Sequence, residues 1–216
     1  MSSVAVIDYG MGNLHSVAKA LEKVGEGVKI HVTADASTIL AADRVVLPGV
    51  GAMRDCMGEL KRLELDKVVH DVVTSGKPLL GVCVGMQALM EKSAENNGVE
   101  CLGVLPGQVE YFGDDLRDLQ TGERLKIPHM GWNQVNQEIE HPIWQGIAQG
   151  SRFYFVHSYY VQPASPELIA ASTAYGFTFT SAVSKDNVFA VQFHPEKSQH
   201  AGLSLYANFL KWDGKS

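Results

Sequence analysis

The chain has 216 residues, 45% of them apolar and 19% charged, with 24 acidic against 18 basic side chains and a net charge of −6. That length suits one α/β domain, residues 1–216, with a sizeable core. The acidic balance and the absence of a Lys/Arg-rich run disfavour nucleic acid as principal partner. No apolar run is long enough to span a bilayer, since residues 78–90 are broken by Gly81, Gly85 and Gln87.

The chain opens MSSVAVIDYG, without the basic region of a secretory leader. Residues 4–7 read as a short buried strand, followed by the loop DYGMGN. Leu14, Val17, Ala18, Leu21 and Val24 recur at helical spacing and Gly25 supplies a stop. A strand over 28–32, a short helix over 33–42 and a strand over 44–47 follow, the last running into Pro48-Gly49-Val50-Gly51. Helical patterns cover 53–63 and 66–75, and a strand covers 79–82. Strands alternating with helices predict a mostly parallel sheet flanked by helices, with ligand sites at the carboxyl ends of its strands. The loops DYGMGN and PGVG lie at such ends, as does Cys83.

From residue 108 the pattern changes. Residues 108–135 read as strands parted by the polar excursion DDLRDLQTGERL, to which no function is assigned. After HPIWQGI, the segments 153–161, 168–172, 177–183 and 188–193 are rich in β-branched and aromatic residues and predict an antiparallel layer. A final helix over 202–212 puts Leu205, Tyr206, Phe209 and Leu210 on one face. There is no linker, repeat or low-complexity tract.

The three cysteines form no CxxC pair and no zinc-ligand pattern, which fits a reducing cytoplasm and no metal site. Cys56 and Cys101 lie among apolar neighbours and read as inert structural thiols. Cys83 differs. GVCVG has the shape of a nucleophile elbow, in which a sharp strand-to-helix turn exposes the side chain. Its glycines would let backbone pack closely and substrate approach. A following helix would turn its amides toward the sulfur and favour thiolate. A small buried cysteine in a glycine-rich turn is the competing reading.

A thiol nucleophile needs a base, and the base needs an orienting partner. His15, His31, His70, His141 and His200 have no helpful setting; His129 and His157 read as packed or hydrogen-bonded. His194 stands where strand 188–193 ends, Pro195 stops that strand, and Glu196 is near enough to hold one imidazole N–H. A Cys83–His194–Glu196 triad emerges. Backbone N–H groups at PGVG could hold an oxyanion, because glycine permits outward-facing amides. Gly10-Met11-Gly12-Asn13 lacks the third glycine of a dinucleotide loop and the lysine of a P-loop.

Assembled in order, DYGMGN, LPGVGAM, GVCVGMQ, PHMGWN, FYFVHSY and QFHPEKS resemble the class I (triad) glutamine amidotransferases over nearly the whole chain. PHMGWN and FYFVHSY resemble one branch more closely, the glutaminase subunits that serve a separate cyclase in histidine biosynthesis. The resemblance implies a mixed, mostly parallel, flavodoxin-like sheet and no cofactor. It implies that Cys83 attacks the side-chain amide of L-glutamine to form a thioester, with His194 as general acid and base and Glu196 orienting it. Gly49 and Val50 would supply oxyanion amides, and Gly51, Gln87, Ser158 and Tyr159 would hold glutamine. Met130, Trp132, Tyr154 and Lys197 would meet a (β/α)8-barrel cyclase in a heterodimer, to which ammonia is channelled. Val84 stands where the family often has leucine, and Tyr160 is an unusual second tyrosine. A different amidotransferase subunit, a free hydrolase with the same triad, and a dead binding module are the rival readings; PHMGWN argues against the first and the intact triad against the last.

Overall fold

A computed structural model describes residues 2–215. The first half delivers the alternation read above: β1 (Ser3–Ile7), α1 (Leu14–Val24), β2 (Lys29–Thr33), α2 (Ala36–Ala41), β3 (Arg44–Gly49), α3 (Met53–Arg62), α4 (Leu65–Thr74), β4 (Leu79–Cys83) and α5 (Val84–Ala88). Two edge strands follow, β5 (Lys92–Ser93) and β6 (Val99–Glu100), then β7 (Gly107–Tyr111), β8 (His129–Gln134) and β9 (Asn136–Gln137). The second half holds β10 (Arg152–His157), β11 (Tyr159–Pro163), β12 (Ile169–Tyr175), β13 (Phe177–Lys185), β14 (Val188–Val191) and α6 (Gln199–Phe209).

The main sheet has 12 strands, ordered β2-β1-β3-β4-β14-β13-β11-β7-β5-β6, with β12 attached to β13 and β9 to β12. Strands β2, β1, β3, β4 and β14 run parallel, and β13 turns the sheet antiparallel. The burial of β3, β4 and β14 explains their apolar runs, since helices cover both faces of a parallel sheet. Strand β14 lies beside β4 with Val191 opposite Val82, so both chains leave the sheet at the same edge. The expected mixed architecture stands.

Several boundaries differ from the sequence reading. The segment 153–161 is not one strand: β10 pairs with β8 in a separate two-stranded sheet, whereas β11 joins the main sheet, and Ser158 is the break. A run of aromatic and β-branched residues continues through such a change of partner and cannot reveal it. The helix expected from residue 33 starts at Ala36, because Asp35 caps it by accepting the Thr38 N–H at 2.8 Å. The last helix starts three residues earlier than expected, at Gln199. The excursion is a small looped arm closed by a bridge between Arg117 and Arg124. Among the described residues, no helix is long and apolar enough to cross a membrane.

Candidate active site

At the end of β4, Cys83 sits at φ 55°, ψ −114°, a conformation that costs an L-residue backbone strain. The close packing around it explains the glycines. A Cβ on Gly85 would stand 1.9 Å from the Leu47 carbonyl oxygen, and one on Gly49 would stand 2.7 Å from the Gly85 nitrogen. Gly81 is pressed by Leu89 and Ala190 in the same way. Thus Gly85 lets α5 close on β3, and Gly81 lets it close on β4 and β14. The two glycines do not border the cavity, contrary to the expectation that they admit substrate. The helix behind the thiol is only five residues long, so its dipole contributes less than a full helix would.

Cys83 opens onto a cavity of about 340 Å³ that Val50, Gly51, Gln87, Ser158, Tyr159, His194 and Lys197 also line. The thiol is 4% exposed and His194 2%. His194 Nδ1 donates to Glu196 Oε1 at 2.9 Å, because a carboxylate can only accept. Its Nε2 has no protein partner. Burial pulls the His194 imidazole down, but Cys83 and then Glu196 outweigh it and the value is pushed up to about 10. A positively charged imidazole beside the sulfur is thereby favoured at neutral pH.

The base is held from an element the sequence did not suggest. The N–H of His194 donates to the Tyr154 carbonyl of β10 at 2.9 Å. Ser198 Oγ donates to the His194 carbonyl at 2.6 Å and accepts the Tyr154 N–H at 3.0 Å. Asn13, from the DYGMGN loop, reaches Glu196 Oε1 at 3.5 Å. Ser198 and Asn13 were legible only as neighbours of HPE and of the first loop.

Two buried side chains hold the PGVG segment: Tyr9 Oη donates to the Pro48 carbonyl at 2.8 Å and Cys56 Sγ to the Val50 carbonyl at 3.5 Å. Gly49 lies opposite Cys83 in the sheet but outside the cavity lining, whereas Val50 and Gly51 border it. Gln87 is buried, and its amide nitrogen donates to the Tyr159 carbonyl at 3.0 Å and to Gln192 Oε1 at 2.9 Å. Only its carbonyl oxygen is left for a ligand. Gln192 Nε2 reaches Cys83 Sγ at 3.8 Å, a contact the sequence reading missed.

Glu95 was also missed. It lies in a polar turn, accepts the Met53 N–H at 3.0 Å and brings a carboxylate to the cavity wall. Nothing in SAENNG marks it as more than a solvated acid.

Met130, Trp132 and Tyr154 stand outside the cavity. Met130 is 64% and Trp132 43% exposed, and Trp132 meets the Tyr154 ring edge-on at 6.2 Å between centroids. Lys197 Nζ lies 5.8 Å from the Tyr154 ring centre and also borders the cavity. These four residues form one patch next to the cavity mouth. Burial drives the thiols of Cys56 and Cys101 up to about 11 and about 12, in line with inert roles.

Comparison with known proteins finds relatives over nearly the whole chain. A profile of the glutamine amidotransferase class-I family matches residues 5–212. The chain is 57% identical to imidazole glycerol phosphate synthase subunit HisH 1 of Pseudomonas aeruginosa over 100% of this chain and 99% of that one. Subunits HisH of Pseudomonas putida and Nitrosococcus oceani are each 58% identical, over 100% of both chains. Among solved structures, PurLQS from Thermotoga maritima superposes with a TM-score of 0.72 at 17% identity, covering 97% of this chain and 98% of that one. A crystal structure of a glutamine amidotransferase gives 0.70 at 19% identity, covering 96% and 97%. At such identities the likeness is one of fold.

Proposed function

The chain belongs to the class-I glutamine amidotransferases, and on that premise we propose that it is the glutaminase subunit of an imidazole glycerol phosphate synthase, acting in histidine biosynthesis through Cys83, His194 and Glu196. The observation that carries the reading is the buried Cys83–His194–Glu196 set where the neighbouring strands β4 and β14 end, in a chain 57% identical over its full length to a subunit of that name.

The cavity accepts the γ-carboxamide of L-glutamine. The Cys83 thiolate attacks the amide carbon, and the negative charge that develops on oxygen is met by the amides of Gly49 and Val50, each worth roughly 3 kcal/mol, once the PGVG backbone has turned toward the cavity. His194 Nε2–H gives its proton to the departing nitrogen, and ammonia leaves a γ-glutamyl thioester. The neutral His194 then takes a proton from water, the hydroxide attacks the thioester, and glutamate departs as the thiolate returns. Glutamine and water have become glutamate and ammonia. Throughout, Glu196 holds Nδ1–H and so keeps Nε2 facing the sulfur.

Gly51, Gln87, Ser158 and Tyr159 hold the substrate, with Glu95 opposite its α-ammonium. No cofactor takes part. The relatives are named as subunits, which implies a partner. That partner is a (β/α)8-barrel cyclase forming a heterodimer across Met130, Trp132, Tyr154 and Lys197. It receives the ammonia and forms imidazole glycerol phosphate and aminoimidazole carboxamide ribotide. The protein is a single-domain cytoplasmic enzyme subunit.

The test is glutamine hydrolysis by the purified chain, alone and with the cyclase and its nucleotide substrate. Turnover that rises strongly in the complex supports the reading. High turnover indifferent to the partner identifies a free hydrolase instead.

A further inference from the structure

His129 and His157 face each other across the small sheet, paired in register on β8 and β10. Both are buried, and none of the catalytic steps uses them. Their hydrogen bonds admit a single direction. His157 Nδ1 lies 2.8 Å from the Tyr159 carbonyl oxygen, which can only accept, so Nδ1 carries the proton and Nε2 a lone pair. His129 Nδ1 lies 2.9 Å from that Nε2 and must donate to it. His129 Nε2 is then the acceptor for Asn133 Nδ2 at 3.2 Å, and Asn133 gives its other N–H to the Ala174 carbonyl at 2.9 Å. Both rings are neutral in this scheme, as their deep desolvation also requires.

The chain of bonds ends on the same carbonyl that Gln87 Nε2 reaches from the other side. Through Gln192, Gln87 is linked to Cys83. Two arms therefore converge on the Tyr159 oxygen, one from β8 and one from the nucleophile. That oxygen lies just past Ser158, where the strand breaks and changes sheets. Strand β8 is also two-faced: His129 and Asn133 point inward, while Met130 and Trp132 lie on the opposite, exposed face.

We propose that His129 and His157 are positioning residues, whose one-way hydrogen-bond chain sets the Ser158–Tyr159 turn over Cys83 and ties its placement to strand β8. The inference rests on the glutaminase reading, since it assigns the turn to glutamine binding. Leaving buried donors and acceptors unpaired at this point displaces the turn and weakens glutamine binding more than it slows chemistry.

Packing alone is the competing explanation, because His129 is stacked between Tyr175 and Phe155 at 4.0 and 4.8 Å. The two explanations order the variants oppositely. Phenylalanine keeps the ring and removes the nitrogens; asparagine keeps an N–H at the Nδ1 position and loses the ring. In the complex with the cyclase, H129F and H157F should raise KM for glutamine about tenfold, the scale of an unpaired buried polar group, with kcat changed less than about threefold. H129N, which keeps the donor to His157, should recover most of that loss, and H157N, which restores the donor to Tyr159 but not the acceptor for His129, only part of it. Phenylalanine variants as good as wild type, or better than the asparagine ones, overturn the relay. Nitrogen-15 spectra of the unaltered chain test the same bonds without substrate: both rings should carry the proton on Nδ1, with a scalar coupling across the N–H···N bond. An Nε2–H form in either ring overturns it as well. A wild-type complex that fails to hydrolyse glutamine overturns the proposed function, and with it the role given to the turn.

Discussion

The two walls of the cavity are built on different plans. One wall consists of the carboxyl ends of β3, β4 and β14, fully buried strands whose glycines let backbone touch backbone around Cys83. The opposite wall comes from the break at Ser158 and the small sheet of β8 and β10, whose outer face exposes Met130 and Trp132. The thiol thus stands on the tightly packed wall, and the Ser158–Tyr159 turn on the wall whose outer face is exposed. His194 joins the two walls, for it follows β14 in the chain but hangs from Tyr154 of β10.

The contrast can be broken first at the rigid wall. C83A should lower glutamine turnover by roughly 10⁵-fold or more while leaving the fold intact, read by steady-state assay and circular dichroism. G85A attacks the same wall through packing. Its methyl would stand 1.9 Å from the Leu47 carbonyl oxygen, so a loss of about 3 kcal/mol or more is expected in denaturant unfolding. A fully stable G85A would mean that β3 and α5 are not pressed together as described.

The sheet wall should respond to acid. In the unfolded chain a histidine titrates near 6.5, whereas burial lowers His129 to about 4 and His157 to about 3. A lowered histidine contributes stability that is complete above about pH 6.5 and is lost as pH falls toward 4. His194 has the opposite sign: its contribution is present below about pH 6.5 and disappears as pH rises through about 10. Thermal midpoints measured from pH 6.5 to 4 should therefore fall, and fall less in H129F and H157F. Equal slopes in wild type and variants would contradict the burial argument.

Smaller effects separate binding from structure. E95Q should raise KM for glutamine about tenfold with little change in kcat, since it removes a charge from the cavity wall that the proposed binding mode sets opposite the α-ammonium. W132A should change thermal stability by no more than about 1 kcal/mol, as Trp132 is 43% exposed and lies outside the core. It should nevertheless weaken cyclase binding by roughly tenfold or more, as loss of an aromatic anchor does. A W132A chain that binds the partner normally would move the interface elsewhere.

The rigid wall was legible in the sequence because its requirements are local. Gly81, Cys83 and Gly85 lie within five residues, and His194 and Glu196 within three, so each group announces its geometry in one stretch. The other wall depends on pairing between distant segments. Residues 153–161 are a nearly continuous run of aromatic and β-branched residues, and only the opposing strands show that Ser158 parts two sheets. Glu95 and Ser198 were hidden for the same reason: a turn carboxylate and a serine hydroxyl acquire meaning only from the backbone brought against them. The excursion at 114–125 gave no pattern because its arm is held largely by its own side chains and turns.

The central claim is that Cys83, alone among the three thiols, is the nucleophile for a glutamine-shaped substrate. Its most direct test is intact-mass and peptide mapping of the chain, in complex with the cyclase, after treatment with an electrophilic ketone analogue of glutamine. One adduct is predicted, on the peptide containing Cys83, with excess glutamine protecting it. Adducts on Cys56 or Cys101, or labelling of Cys83 that glutamine does not slow, would contradict the account.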